Sequence, residues 1–174
     1  APEPDNVQSL DDWTLKTEIS QLYRINVNGK YYWYVIMSVV NETGQDVGFY
    51  PRATLLTDTL KETPAGLGVS DEVFKKIRKR HQLKFPFLER LEKTDHRMLQ
   101  GEDHQKDLAV IWKDFDPEAK KISLFFTGLS DETAVVEHPT KKDENGDPVK
   151  LLLRKTLQLD YSVSGDPEVR SQLN

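Results

Sequence analysis

The amino-acid sequence predicts a mainly β protein: an antiparallel sandwich of two sheets with one short helical insertion. Three observations lead there. Stretches of period-two alternation recur along the chain, turn chemistry separates them, and one stretch, Ser70 to His81, carries the cap and spacing of a helix. The predicted layout is an amino-terminal extension over 1–12 and a single domain over 13–163 with a helical or irregular insertion at about 64–106. A tail over 164–174 completes it.

The first strand signal runs from Trp13 to Val27. Its odd positions (Trp13, Leu15, Ile19, Tyr23, Ile25, Val27) are mostly apolar and its even ones mostly polar, so one face is buried along one strand or two with a bend. Asn28-Gly29 then marks a tight hairpin. Tyr31 to Val40 is apolar at both parities and rich in β-branched residues, which predicts a central strand. Asn41 to Asp46 is turn chemistry. Val47 to Thr57 reads as a further strand in which Pro51 demands an edge or a bulge.

The middle of the chain changes character. Pro64 to Gly68 is a loop, and Ser70-Asp71-Glu72 is a helix start with a capping hydroxyl and acid in the first turn. Val73, Phe74 and Ile77 form the apolar side, and Pro86 ends the segment. Leu88 to Lys106 is charged and predicts an irregular excursion. Strands resume at Leu108–Trp112 and Ile122–Thr127, joined by a turn at Phe115 to Glu118. A last hairpin pairs Thr133–Glu137 with Val149–Val163 across the turn-rich Lys141 to Pro148. In its second arm Val149, Leu151, Leu153, Leu157, Leu159, Tyr161 and Val163 share one face, which predicts their burial.

Composition narrows the chemistry. The 174 residues suffice for one core and include 16 aromatics, which the core must accommodate. No cysteine is present, which excludes disulfides, Cys-ligated zinc, iron–sulfur clusters, covalently attached haem and thiol nucleophiles. A net charge of −5 argues against nucleic acid, and no apolar run approaches the ~20 residues of a membrane span. The start, Ala1-Pro2-Glu3-Pro4-Asp5, resembles the way mature exported proteins often begin after leader cleavage, which sets the expectation of a periplasmic, extracellular or lumenal location.

The residues that could carry chemistry are few. None of Ser9, Ser20, Ser38, Ser70, Ser123 and Ser130 has the glycine-flanked turn of an exposed nucleophile, and His81, His96, His104 and His138 read as solvated surface. His96, Met98 and His104 are weak candidates for copper or zinc, since imidazole with thioether suits the first and imidazole with carboxylate the second. Asp143, Asn145 and Asp147 alternate as calcium ligands do. Gly146 stands in the wrong place for a calcium loop, however, and a hairpin turn accounts for all four. No bound metal or cofactor is expected. The densest feature is Lys75, Lys76, Arg78, Lys79 and Arg80, followed by Lys84. Interleaved with Phe74, Ile77, Phe85 and Phe87, it forms a basic and aromatic patch suited to an acidic partner.

Two sets of motifs carry a resemblance. Tyr31 to Gly44, then Pro51, then Leu55-Leu56-Thr57-Asp58, resembles the front of immunoglobulin-like domains in exported bacterial proteins. Trp13-Thr14-Leu15, Phe115-Asp116-Pro117, Thr127-Gly128-Leu129-Ser130 and Thr156 to Tyr161 resemble an uncharacterised exported family of planctomycete bacteria. These are turn and core motifs. They imply an immunoglobulin-like fold and export, and beyond that a small subunit organising a larger enzyme assembly. The expected function is therefore non-catalytic protein–protein contact or self-association. The alternative is an exported module that binds a metal or a small ligand.

Overall fold

The computed structural model describes residues 5–7, 13–131 and 133–163. The rest of the expected amino-terminal extension, with Ser9, and the tail at 164–174 lie outside the described residues. Among the described residues one α-helix stands beside fourteen strands, so the fold is mainly β.

The central sheet is built on β4 (Lys30–Asn41). On one edge of β4 lie β2 (Lys16–Ile19) and β3 (Tyr23–Val27) in succession; on the other lies β10 (Gly101–Lys113), followed by β8 (Glu89–Arg90). The second sheet runs β14 (Leu157–Ser162), β11 (Lys121–Thr127), β6 (Arg52–Thr57), β7 (Glu62–Pro64). All these pairs are antiparallel except β8 with β10. Two small sheets complete the set. One is β1 (Asp5–Val7), β12 (Thr133–Lys142) and β13 (Pro148–Arg154); the other pairs β5 (Val47–Gly48) with β9 (Arg97–Met98).

The two main sheets pack face to face. Trp33, Val35, Met37 and Val39 of β4 and Leu108, Val110 and Trp112 of β10 meet Ala53 and Leu55 of β6 and Ile122, Leu124 and Phe126 of β11. The opposite face of the central sheet is also covered. There Tyr32, Tyr34, Ile36, Ala109 and Ile111 meet Val73 and Ile77 of α1 (Asp71–His81). This second cover is why β4 is apolar at both parities. The helical insertion thus roofs the outer face of the central sheet.

Hairpin chemistry behaves as read. Asn28 and Gly29 have φ of 54° and 82°, the left-handed pair that a two-residue turn between β3 and β4 requires. The Trp13–Val27 alternation holds, yet its odd residues serve two cores. Ile19 pairs with Met37, whereas Tyr23 pairs with Tyr34, so the register slips by one between them. That slip sends Leu15 and Ile19 to the inter-sheet core and Ile25 and Val27 to the helix side. Ser20 sits at the slip: the Ile36 amide donates to its Oγ at 2.8 Å, and its own amide donates to the Ile36 carbonyl at 2.9 Å.

Other expectations need correction. Val47–Thr57 is two strands in different sheets, because Pro51 has no N–H to continue a ladder and β6 starts after it. Leu88–Lys106 is more ordered than its charge implies: it holds β8, a single 3-10 turn at Leu91–Lys93, β9 and the first part of β10. The Val149–Val163 arm likewise divides, β13 pairing with β12 and β14 with β11. Its expected burial fails in part. Leu151, Leu153 and Leu157 remain 39%, 43% and 39% exposed, while Val163 is buried.

Candidate docking surface

Helix α1 starts where the sequence places it. The Val73 amide donates to Ser70 Oγ at 3.5 Å, and Asp71 and Glu72 occupy the first turn. Eleven residues are too few for a stable isolated helix, so packing and side-chain ties must hold it. Val73 and Ile77 are fully buried. Along β3, Lys76 Nζ donates to the Asn26 carbonyl at 2.7 Å, Arg80 Nη1 to the Arg24 carbonyl at 3.4 Å, and Asn28 Nδ2 to Glu72 Oε2 at 3.1 Å. At the amino-terminal end the buried Arg90 reaches Asp71 and the Val69 carbonyl.

The basic residues therefore divide by role. Lys76 and Arg80 clamp the helix to β3, and Arg78 and Lys84 lie over the rings of Phe74 and Phe85. Lys75 and Lys79 touch no partner, and none of the six cations forms an ion pair with a carboxylate among the described residues. All six side chains are exposed. Beside them the turn after the helix holds Leu83 at 98% and Phe87 at 87% exposure, two large apolar side chains standing clear of the protein. Phe85 between them turns inward against the helix-side core. Leu83 is the member of this surface that the sequence reading missed; its signal is an apolar residue after the last helical turn, out of phase with Val73 and Ile77.

His81 corrects another expectation. It is half-buried rather than solvated, with Nε2 2.7 Å from the Tyr34 hydroxyl and its ring edge-on to Tyr23 at 4.9 Å. Burial, then the neighbouring Arg80 and Lys84 charges, hold its pKa below the usual histidine value. Burial pushes the Tyr34 hydroxyl up to about 12 against the opposing pull of Arg80. At neutral pH the pair is thus uncharged, and the Tyr34–His81 hydrogen bond ties the end of the helix to the sheet.

The metal candidates do not converge. Met98 is fully buried in the inter-sheet core, His96 stacks on Tyr50 with ring centroids 4.6 Å apart, and His104 lies exposed on β10. In the β12–β13 turn Asp143 Oδ1 accepts from the Asn145 and Asp147 amides at 2.9 and 3.0 Å, the hydrogen bonding of a turn. Among the described residues no three His, Asp or Glu side chains gather to hold a metal ion. Ser38 and Ser123 donate to the carboxylates of Asp107 and Asp160. No helix among the described residues is long and apolar enough to cross a membrane. No family model, curated protein or solved structure matches the chain.

Proposed function

We propose that this chain is a non-catalytic, exported assembly module that docks on an acidic protein partner or a second copy of itself through α1 and the turn behind it. One observation carries the reading. Six exposed cations without carboxylate partners among the described residues share α1 and the turn behind it with two exposed apolar side chains, in a chain whose net charge is −5. Exposed Leu83 and Phe87 are the anchors, and the cations are the rim that steers and orients an acidic surface. Neither apolar side chain adds to folding as it stands, whereas burial against a partner would recover roughly 1.5–3 kcal/mol for each.

The immunoglobulin-like affiliation belongs to the same proposal, supported by two packed, largely antiparallel sheets. So does the resemblance to exported planctomycete proteins. Its furthest extension is a role like that of the small tubule-inducing subunit that organises nitrite oxidoreductase in anammox bacteria.

The test uses residues that do not hold the fold. Lys75, Arg78 and Lys79 are changed to Glu, and Leu83 and Phe87 to Ser, leaving Lys76 and Arg80 in place as helix clamps. Sedimentation velocity at low and high salt is measured on protein from its native source. The wild type should run in a larger species that loosens as salt rises and screens the contact, and the variant should run as a monomer throughout. A wild type that is monomeric at both salts, or a folded variant that assembles like the wild type, removes the proposal.

A further inference from the structure

Away from the helix, a cleft of ≈ 650 Å³ opens between Trp13, the β5–β6 connection, the end of β11 and Arg154. Its geometry is enforced. Gly128 has φ +85°, and a Cβ there would fall on the Tyr50 carbonyl oxygen, so only glycine lets the two segments touch. On the other side, Asp131 Oδ1 accepts the Trp13 amide, and Ser130 Oγ donates to the Trp13 carbonyl at 2.8 Å.

Tyr50 is the feature that folding does not explain. Its neighbour Phe49 is the residue the core uses, fully buried, while the Tyr50 ring is 64% exposed. Yet the ring is held: it lies parallel to His96 within 13°, and the Phe49 amide donates to the His96 carbonyl at 2.9 Å. Gly48 leaves the ring uncovered on its own side, where even a Cβ would come within 3.4 Å of it. The cleft thus contains an aromatic plate, rigid and facing water. Arg52 and Arg154 line the same space, and neither guanidinium has a hydrogen-bond or ion-pair partner among the described residues. The Thr127 hydroxyl, also in the lining, is likewise without one.

We infer that this cleft binds an acidic sugar, a pyranose ring carrying a carboxylate, with the ring on Tyr50 and the carboxylate forked by Arg52 and Arg154. A guanidinium matches a carboxylate with two parallel N–H donors, and two of them, against the single Asp131 carboxylate whose Oδ1 the Trp13 amide occupies, favour an anion over a neutral ligand. A bare anion leaves the braced plate without a use, and a sugar ring presents C–H groups to such a plate and hydroxyls to Thr127. A shaped space with an apolar plate and a few convergent polar groups is the usual form of a ligand site. This is independent of the docking surface on α1, and it locates the small-ligand alternative that the sequence left open.

Trp13 supplies the readout. Trp33 and Trp112 are fully buried, so of the three tryptophans only Trp13 can report on a ligand in the cleft. Fluorescence titrations use trigalacturonate, maltotriose, inorganic phosphate and benzoate. Trigalacturonate should give a saturable change, and maltotriose should bind at least about tenfold more weakly, as loss of a charge-assisted contact implies. Arg52→Gln with Arg154→Gln, and separately Tyr50→Ala, should each weaken trigalacturonate by about tenfold or more. Melting curves establish that these exposed-site variants fold, and the Lys75/Arg78/Lys79 reversal should leave binding unchanged. No saturable change overturns the inference; so does equal binding by wild type and Tyr50→Ala. Phosphate or benzoate binding as tightly as the uronate also overturns it, in favour of a plain anion or an aromatic acid.

Discussion

Arg90→Ala should cost about 2–4 kcal/mol of stability, somewhat below the about 3–5 kcal/mol of removing one partner of a fully buried ion pair. Arg90 is 6% exposed and uses each side of its guanidinium differently. Nη1 donates to Asp71 at 3.0 Å, Nη2 to the Val69 carbonyl at 2.8 Å, and Nε to Glu92. Truncation does not strand the carboxylates, because the Asp71 and Glu92 side chains are 68% and 32% exposed and water can replace the arginine. The loss concentrates at the carbonyl of the buried Val69, about 1–3 kcal/mol for an unsatisfied acceptor, with about 1 kcal/mol for the buried stem. Lysine cannot compensate: one ammonium does not meet three acceptors set around a planar fork, so Arg90→Lys should recover less than half. Urea unfolding followed by the emission of buried Trp33 and Trp112 measures both variants, and the midpoint should move without a change in slope. The reasoning is refuted if Arg90→Ala stays within about 0.5 kcal/mol of wild type, the range of an ordinary surface substitution, or if lysine restores full stability.

Gly128→Ala should lose about 2–4 kcal/mol in the same assay, since it combines a left-handed backbone with contact against the Tyr50 main chain; a loss below about 1 kcal/mol would mean that the two segments move apart freely. Leu60 stands in the β6–β7 turn with φ 63° and its side chain 83% exposed, so Leu60→Asn should raise stability by about 0.5–1 kcal/mol through relief of strain, and a drop in melting temperature would count against this. Because the pKa of His81 lies below its ordinary 6.5 in the folded state, the unfolded chain takes the proton first; stability should hold above about 6.5 and fall as pH decreases through that value toward the folded one. His81→Gln, which keeps an acceptor for Tyr34, should remove that slope; if pH titration of the melting temperature shows the same slope in the variant, His81 is not its source. A second acid loss should follow below about pH 4, where Asp46, Asp95, Asp116 and Asp160, all held low first by hydrogen bonds that they accept, become protonated.

Local rules sufficed for much of this fold. Asn28-Gly29 forms its turn because few other pairs reach positive φ at both places. Ser70 caps the helix because its hydroxyl is within reach of the Val73 amide whatever lies beyond. Tyr31–Val40 is central because every second residue on either face is apolar, which water penalises at any edge position. The misreadings share a different cause. Leu151 and Leu153 alternate as core residues do, yet β13 pairs with β12 outside the two main sheets and both side chains stay about two-fifths exposed; alternation alone is silent about what stands opposite. Gly101–Lys106 is too polar to read as strand, yet β10 reaches back through it, Lys106 pairing with Val39 and, past an irregularity, Gly101 with Asn41.

The candidate surfaces divide in the same way. The cations of α1 were legible because charge density is a property of neighbours in sequence. Leu83 and Phe87 share an exposed surface only because the fold took Phe85 inward and left the other two outward. The cleft was not legible at all, since Trp13, Tyr50, Gly128 and Arg154 come from four separate stretches and none carries a local signal. What this sequence determined by itself is the set of local conformations and which faces are apolar, because φ/ψ sterics, capping and alternation act within a few residues. The tertiary structure alone decided which apolar face is covered, which register sends Ile19 and Ile25 to opposite cores, and which exposed side chains share one space. Those outcomes depend on what each strand pairs with and packs against, and a one-residue slip at Ser20 reverses a face without altering the pattern.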